Sequence, residues 1–152
     1  MSHCIFCKIA NEEEPCHKVW EDEKHIAFLS IFPNTEGYTI VMPKIHYPSY
    51  AFDAQDDVLL PLIVAAKTVA KLLDENFDDV GRTALIIEGM GVNHLHVKLF
   101  PMHGTKNMAK EFEPMTAHFD KYFKKYEGYV SSHDYVRADD KVLERVAKKI
   151  RK

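Results

Sequence analysis

The stretch Val92-Asn93-His94-Leu95-His96-Val97-Lys98-Leu99-Phe100-Pro101 decides how this chain reads. His94, His96 and Lys98 stand at alternate positions, with Leu95, Val97 and Leu99 between them. A period of two is that of a half-buried strand, so the spacing predicts a strand over 92–100 whose polar side chains share one face. Packing alone does not call for two imidazoles and an ammonium in a row. Two neutral imidazoles side by side can bind a metal, or one can attack an electrophile while its neighbours manage charge. The plainer reading is a solvated face. Against it stands the preceding run, Ile86-Ile87-Glu88-Gly89-Met90-Gly91, where an apolar strand over 83–87 ends in Gly-Met-Gly. Glycine tolerates positive φ and lets backbone N–H groups close on a ligand, as in anion-binding nests.

A second cluster, Cys4-Ile5-Phe6-Cys7, has the C-x-x-C spacing that lets two thiolates reach one tetrahedral zinc, and so supplies half a site. The other cysteine is Cys16, so the remaining ligands of such a site have to be histidines. His46, in Pro43-Lys44-Ile45-His46, is a candidate third, and His94 or His96 a candidate fourth. A redox pair and plain buried cysteines are the alternatives, although no βαβ pattern surrounds the motif.

Composition narrows the classes. The 152 residues, 46% of them hydrophobic, suffice for one compact domain with its own core. A net charge of −3 and a pI near 6.3 argue against a non-specific nucleic-acid or anionic-membrane binder. The longest apolar run, 59–66, is too short to span a bilayer and contains Pro61. No basic segment followed by an apolar core opens the chain, and three cysteines suit a reducing compartment, so the expected location is cytoplasmic.

Strands are expected over 18–21 and 25–31, around an Asp22-Glu23-Lys24 corner, and over 38–42, stopped by Pro43. From about Asp53 the period changes. Val58, Leu59, Leu62, Ile63, Ala66, Val69, Ala70 and Leu73 recur at helical spacing, with Asp53 or Asp56 able to cap the start and the end near Asn76. Two strands follow. This order predicts an α+β fold: an antiparallel sheet of about five strands with one long helix. After Gly104 the chain turns polar and aromatic, with Phe112, Phe119, Tyr122, Phe123 and Tyr126 at helical spacing and a cationic helix over about 139–150. The expected division is a domain over 1–104 and a helical extension over 105–152, docked on the core or on a second subunit.

The runs Ala27-Phe28-Leu29-Ser30-Ile31-Phe32-Pro33, Glu36-Gly37-Tyr38-Thr39-Ile40-Val41-Met42-Pro43-Lys44-Ile45-His46 and Gly89-Met90-Gly91 through Pro101 together resemble the histidine triad (HIT) superfamily. The likeness runs from Cys4 to about Pro101. It implies a nucleotide hydrolase or transferase in which the middle histidine, here His96, attacks the α-phosphorus and forms a nucleotidyl-histidine. It also implies a base and ribose pocket at Ile5, Phe6, Leu29, Ser30 and Ile31, with Gly91 near the phosphate, and a homodimer paired through the helix and an edge strand. Some members hold a structural zinc at the positions of Cys4, Cys7, His46 and His94.

Four departures stand out. Lys98 replaces the third histidine, which stabilises phosphate charge and helps the leaving group; lysine serves the first role better than the second. Met90 and Gly91 replace the usual glutamine and serine or threonine. Ser30 replaces an acidic or amide residue at the ribose, and Tyr38 a frequent histidine. His103 is a candidate for the missing acid. The implied substrates are phosphoanhydrides or phosphoramidates of nucleotides, such as dinucleoside polyphosphates or adenosine monophosphate conjugates. The rivals are a nucleotidyl transferase and a nucleotide-binding or scaffold protein with little turnover.

Overall fold

The structure, a computed structural model, describes residues 4–106 and 136–151. The aromatic series from Phe112 to Tyr126 lies outside them. Five strands, β1 (Lys18–Glu21), β2 (His25–Leu29), β3 (Thr39–Pro43), β4 (Thr83–Ile86) and β5 (Val97–Pro101), form one antiparallel sheet in the order β1-β2-β3-β5-β4. The corner between β1 and β2 is made by Asp22, whose carboxylate accepts the backbone N–H groups of Lys24 and His25 at 2.8 and 2.6 Å. An aspartate bonding ahead to its own backbone is a turn in itself.

Strand parity then sorts the side chains. Ala27, Leu29, Val41, Val97 and Leu99 face α2 (Asp56–Asn76) and α3 (Asp140–Ile150) in one apolar cluster. Leu62, Ala66, Val69 and Leu73 of α2 and Leu143, Val146, Ala147 and Ile150 of α3 complete it. Leu62 and Ala66 are therefore core residues without exposure. On the other face, Ile26, Phe28, Ile40, Met42 and Phe100 pack against Phe6 and Ile9 of a short helix, α1 (Ile5–Ala10).

Several boundaries differ from expectation for physical reasons. Helix α1 was not foreseen: six residues, with a Cys4 N-cap that makes no side-chain hydrogen bond, carry no start signal and are held by packing. Neither Asp53 nor Asp56 caps α2; Gln55 occupies that position without a side-chain bond, and Asp53 belongs to a 3-10 turn, Ala51–Asp53. Asp139 does cap α3, accepting the N–H groups of Lys141 and Val142. The strand expected over 92–100 joins the ladder at Val97, opposite Val41. Two residues further along β3, Pro43 has no N–H to offer, and the Leu95 N–H goes instead to the Tyr47 carbonyl at 2.9 Å. Side-chain alternation nevertheless continues back through His94.

Candidate active site and metal centre

The entry into β5 lays His94, His96 and Lys98 along one side of the chain. All three are buried, at 0, 2 and 4% exposure, so the solvated-face reading does not hold. Gly89 and Gly91, with φ of +75° and +92°, let the chain reverse from β4 into this segment.

Around His94 four donors converge. Its Nε2–H donates to the Pro43 carbonyl at 2.8 Å, which leaves the lone pair on Nδ1. Nδ1 lies 3.6 Å from the Sγ atoms of both Cys4 and Cys7, and His46 Nδ1 lies 3.4 Å from Cys7 Sγ. Positions three apart share a helix face, so α1 turns both sulfurs the same way. All four ligand atoms fall within 4.8 Å of one another. A tetrahedral zinc with ordinary Zn–S and Zn–N bonds sets its ligands about 3.3–3.8 Å apart, so the set fits. Thiol–imidazole hydrogen bonding explains it less well, because one Nδ1 lone pair faces two sulfurs and one Cys7 sulfur faces two rings. The second bond from His94 to a backbone carbonyl is also the usual way a ligating imidazole is oriented.

His96 is arranged differently. Its Nδ1 is 2.6 Å from the His94 carbonyl oxygen, which can only accept, so Nδ1 carries the proton and Nε2 keeps its lone pair. Burial lowers its pKa, with the Lys98 charge acting in the same direction against the His94 carbonyl bond and Glu88, and the ring is neutral at pH 7. The Phe6 ring stands edge-on to His96 at 5.2 Å, to His94 at 5.9 Å and to Phe28 at 5.5 Å. A neutral imidazole of fixed tautomer against an aromatic wall is suited to nucleophilic attack.

Lys98 reaches Glu88, whose Oε1 accepts from its ammonium. Glu88 was not singled out in the sequence, although it lies two residues beyond Ile86, the register partner of Lys98. Leu29, expected at the nucleotide pocket, sends its side chain into the α2 cluster, whereas its neighbour Phe28 sits in the cluster of Phe6. Ile5 and Ile31 are exposed, Phe6 is buried and Ser30 is half-buried, its hydroxyl accepting the Phe32 N–H at 3.2 Å. His103 is not beside His96. Its ring nitrogens face Asp79 Oδ1 at 2.9 Å and the Glu36 carbonyl at 3.0 Å, and the ring stands against Phe77 of the α2 cluster.

Known proteins resemble this chain in sequence and in fold. Over 133 residues the chain is 36% identical to an uncharacterised HIT-like protein of Methanocaldococcus jannaschii, covering 82% of this chain and 99% of that one. It is 34% identical over 104 residues to an adenosine 5'-monophosphoramidase of Saccharomyces cerevisiae, covering 68% and 65% of the two chains. The crystal structure of a Hit-like protein from Bartonella henselae superposes with a TM-score of 0.69 at 28% identity, over 98% of this chain and 94% of that one. Residues 11–105, from the end of α1 to the turn beyond β5, match the HIT domain, and on that match the chain belongs to the HIT family.

Proposed function

We propose that this protein is a nucleotide hydrolase that breaks the bond between the α-phosphorus of a nucleotide and its leaving group, through a nucleotidyl intermediate on His96. The observation that carries this reading is the bond from His96 Nδ1 to the His94 carbonyl, which leaves Nε2 as a neutral, oriented nucleophile. The likeness to a yeast adenosine 5'-monophosphoramidase supports a nucleotide as substrate. Lys98 stands in for the third histidine as a cation beside the phosphate, and a nucleotidyl transferase differs from this reading in the second-step acceptor alone. Ile5, Phe6, Ser30, Ile31 and Gly91 border the nucleotide, joined by Phe28. Zinc is held by Cys4, Cys7, His46 and His94 and acts structurally, tying α1 to the ends of β3 and β5. The working form is a homodimer in the cytoplasm, where three reduced cysteines are stable.

The test is single-turnover trapping with α-phosphate-labelled adenylyl substrates. The parent should yield a labelled histidine, and His96→Ala should lose the label and on the order of a thousandfold or more in rate, with its metal content unchanged. A parent that binds nucleotide but never acquires label is a binding protein, and the enzyme reading ends there.

A further inference from the structure

Lys98 is not a free cation. Its side chain is 6% exposed and its ammonium is bonded to Glu88 Oε1. Glu88 follows β4 with the parity of Ile86, which pairs with Lys98 across the ladder and lies in the Phe6 cluster. The other Glu88 oxygen, Oε2, is buried with no hydrogen-bond partner among the described residues. The ammonium is therefore the group that compensates this carboxylate. A buried carboxylate separated from its counter-charge is costly, which holds the pair together.

We infer that Glu88 is a positioning residue that keeps Lys98 a fixed cation beside His96, and that the site thereby favours substrates whose leaving group departs as a stable anion, mixed anhydrides of a nucleotide, over phosphoramidates. The inference rests on the nucleophile reading of His96. In the first step the Nε2 lone pair forms the N–P bond and the P–O bond breaks, its electron pair leaving on an oxyanion that needs no proton. In a phosphoramidate the same pair falls on nitrogen, and an anionic nitrogen is not a viable leaving group, so a proton must arrive there. In the second step water adds to phosphorus, the N–P pair returns to Nε2 and the water proton passes to solvent. A fixed ammonium steadies the phosphate oxygens in both steps without changing protonation state.

Adenosine 5'-phosphosulfate and adenosine 5'-phosphoramidate carry the same adenylyl group and small leaving groups of the two kinds. The parent should favour the first in kcat/KM by about a hundredfold or more, the share a general acid ordinarily supplies. Lys98→His should narrow that ratio at least tenfold, through kcat on the phosphoramidate and with a new imidazole limb in the pH profile. Glu88→Gln should narrow it in the same direction, because the ammonium, no longer tied to a carboxylate, can reach the leaving group. Equal turnover of both substrates by the parent, or a Glu88→Gln variant that slows both in proportion, overturns the inference and leaves the nucleophile reading intact. If neither substrate labels His96 in the parent, it is the nucleophile reading that fails. Should Glu88→Gln not fold, Lys98→His decides alone.

Discussion

His103 meets an acceptor at each ring nitrogen, the Asp79 carboxylate and the Glu36 carbonyl, and only the imidazolium can donate to both. Burial lowers its pKa, but these two bonds and the Asp79 charge outweigh burial and leave it raised above 6.5, while Asp79 is lowered below 3.8, chiefly by its bond to His103. The His103 contribution to stability is whole below its unfolded pKa and is lost as pH rises through the folded value. The Asp79 contribution is present above 3.8 and is lost as pH falls through its own lowered value. The Tm difference between the parent and His103→Gln should accordingly be larger near pH 5 than near pH 8; a difference that stays constant over that range removes the clamp from the account. At this scale the sequence was legible where residues alternate and silent where they meet across the fold. His94 and His96 announce themselves by spacing. Glu88 looks like any acid before a turn, and nothing local says that Lys98 will close on it. His103 lies at the end of β5 that meets Asp79 and Phe77, and a sequence does not show which end of a strand faces the site.

Helix α2 shows how far pattern carries at the level of elements. Leu62, Ala66, Val69 and Leu73 of its buried stripe were readable because one face meets the sheet continuously, Ala65 was passed over, and α1 left no pattern because six residues are too few for one. The same α2 stripe leaves Leu60 and Val64 one turn apart and about 60% exposed. Across the sheet, β4 pairs with β5 on one side and with no described strand on the other, and its Leu85 is 46% exposed. An open strand edge invites a second copy, which is the physical support for the proposed homodimer. Sedimentation should give about twice the 17.6 kDa of one chain, and Leu85→Lys combined with Leu60→Asp should return it to the single-chain mass. Because both side chains are exposed, these changes should cost the monomer little. A single-chain mass for the parent at micromolar concentration refutes the dimer.

At the scale of the whole molecule, α1, the loop after β3 and the entry to β5 are far apart in sequence and meet at one point, the donor set of Cys4, Cys7, His46 and His94. Half of that set could be read from the C-x-x-C spacing and His46 stood as a candidate, but the choice of His94 over His96 depended on the family likeness, because histidines at separations of 39 to 90 residues form no local pattern. Protein purified without added metal should carry one zinc per chain, and Cys4→Ser with Cys7→Ser should carry none and unfold at a lower temperature. Full zinc occupancy in the double variant would falsify this ligand set. His94 belongs to this set through its ring, yet its main-chain carbonyl is the acceptor that orients His96. On the proposed reading His94 thus joins two equilibria, metal binding and substrate binding, and linked equilibria are reciprocal: whatever factor the metal adds to nucleotide affinity, the nucleotide must add to metal affinity. A non-hydrolysable adenylyl compound should therefore slow the transfer of zinc to a chromogenic chelator. The retardation would report the state of His96 from the far side of His94 without any bond being broken.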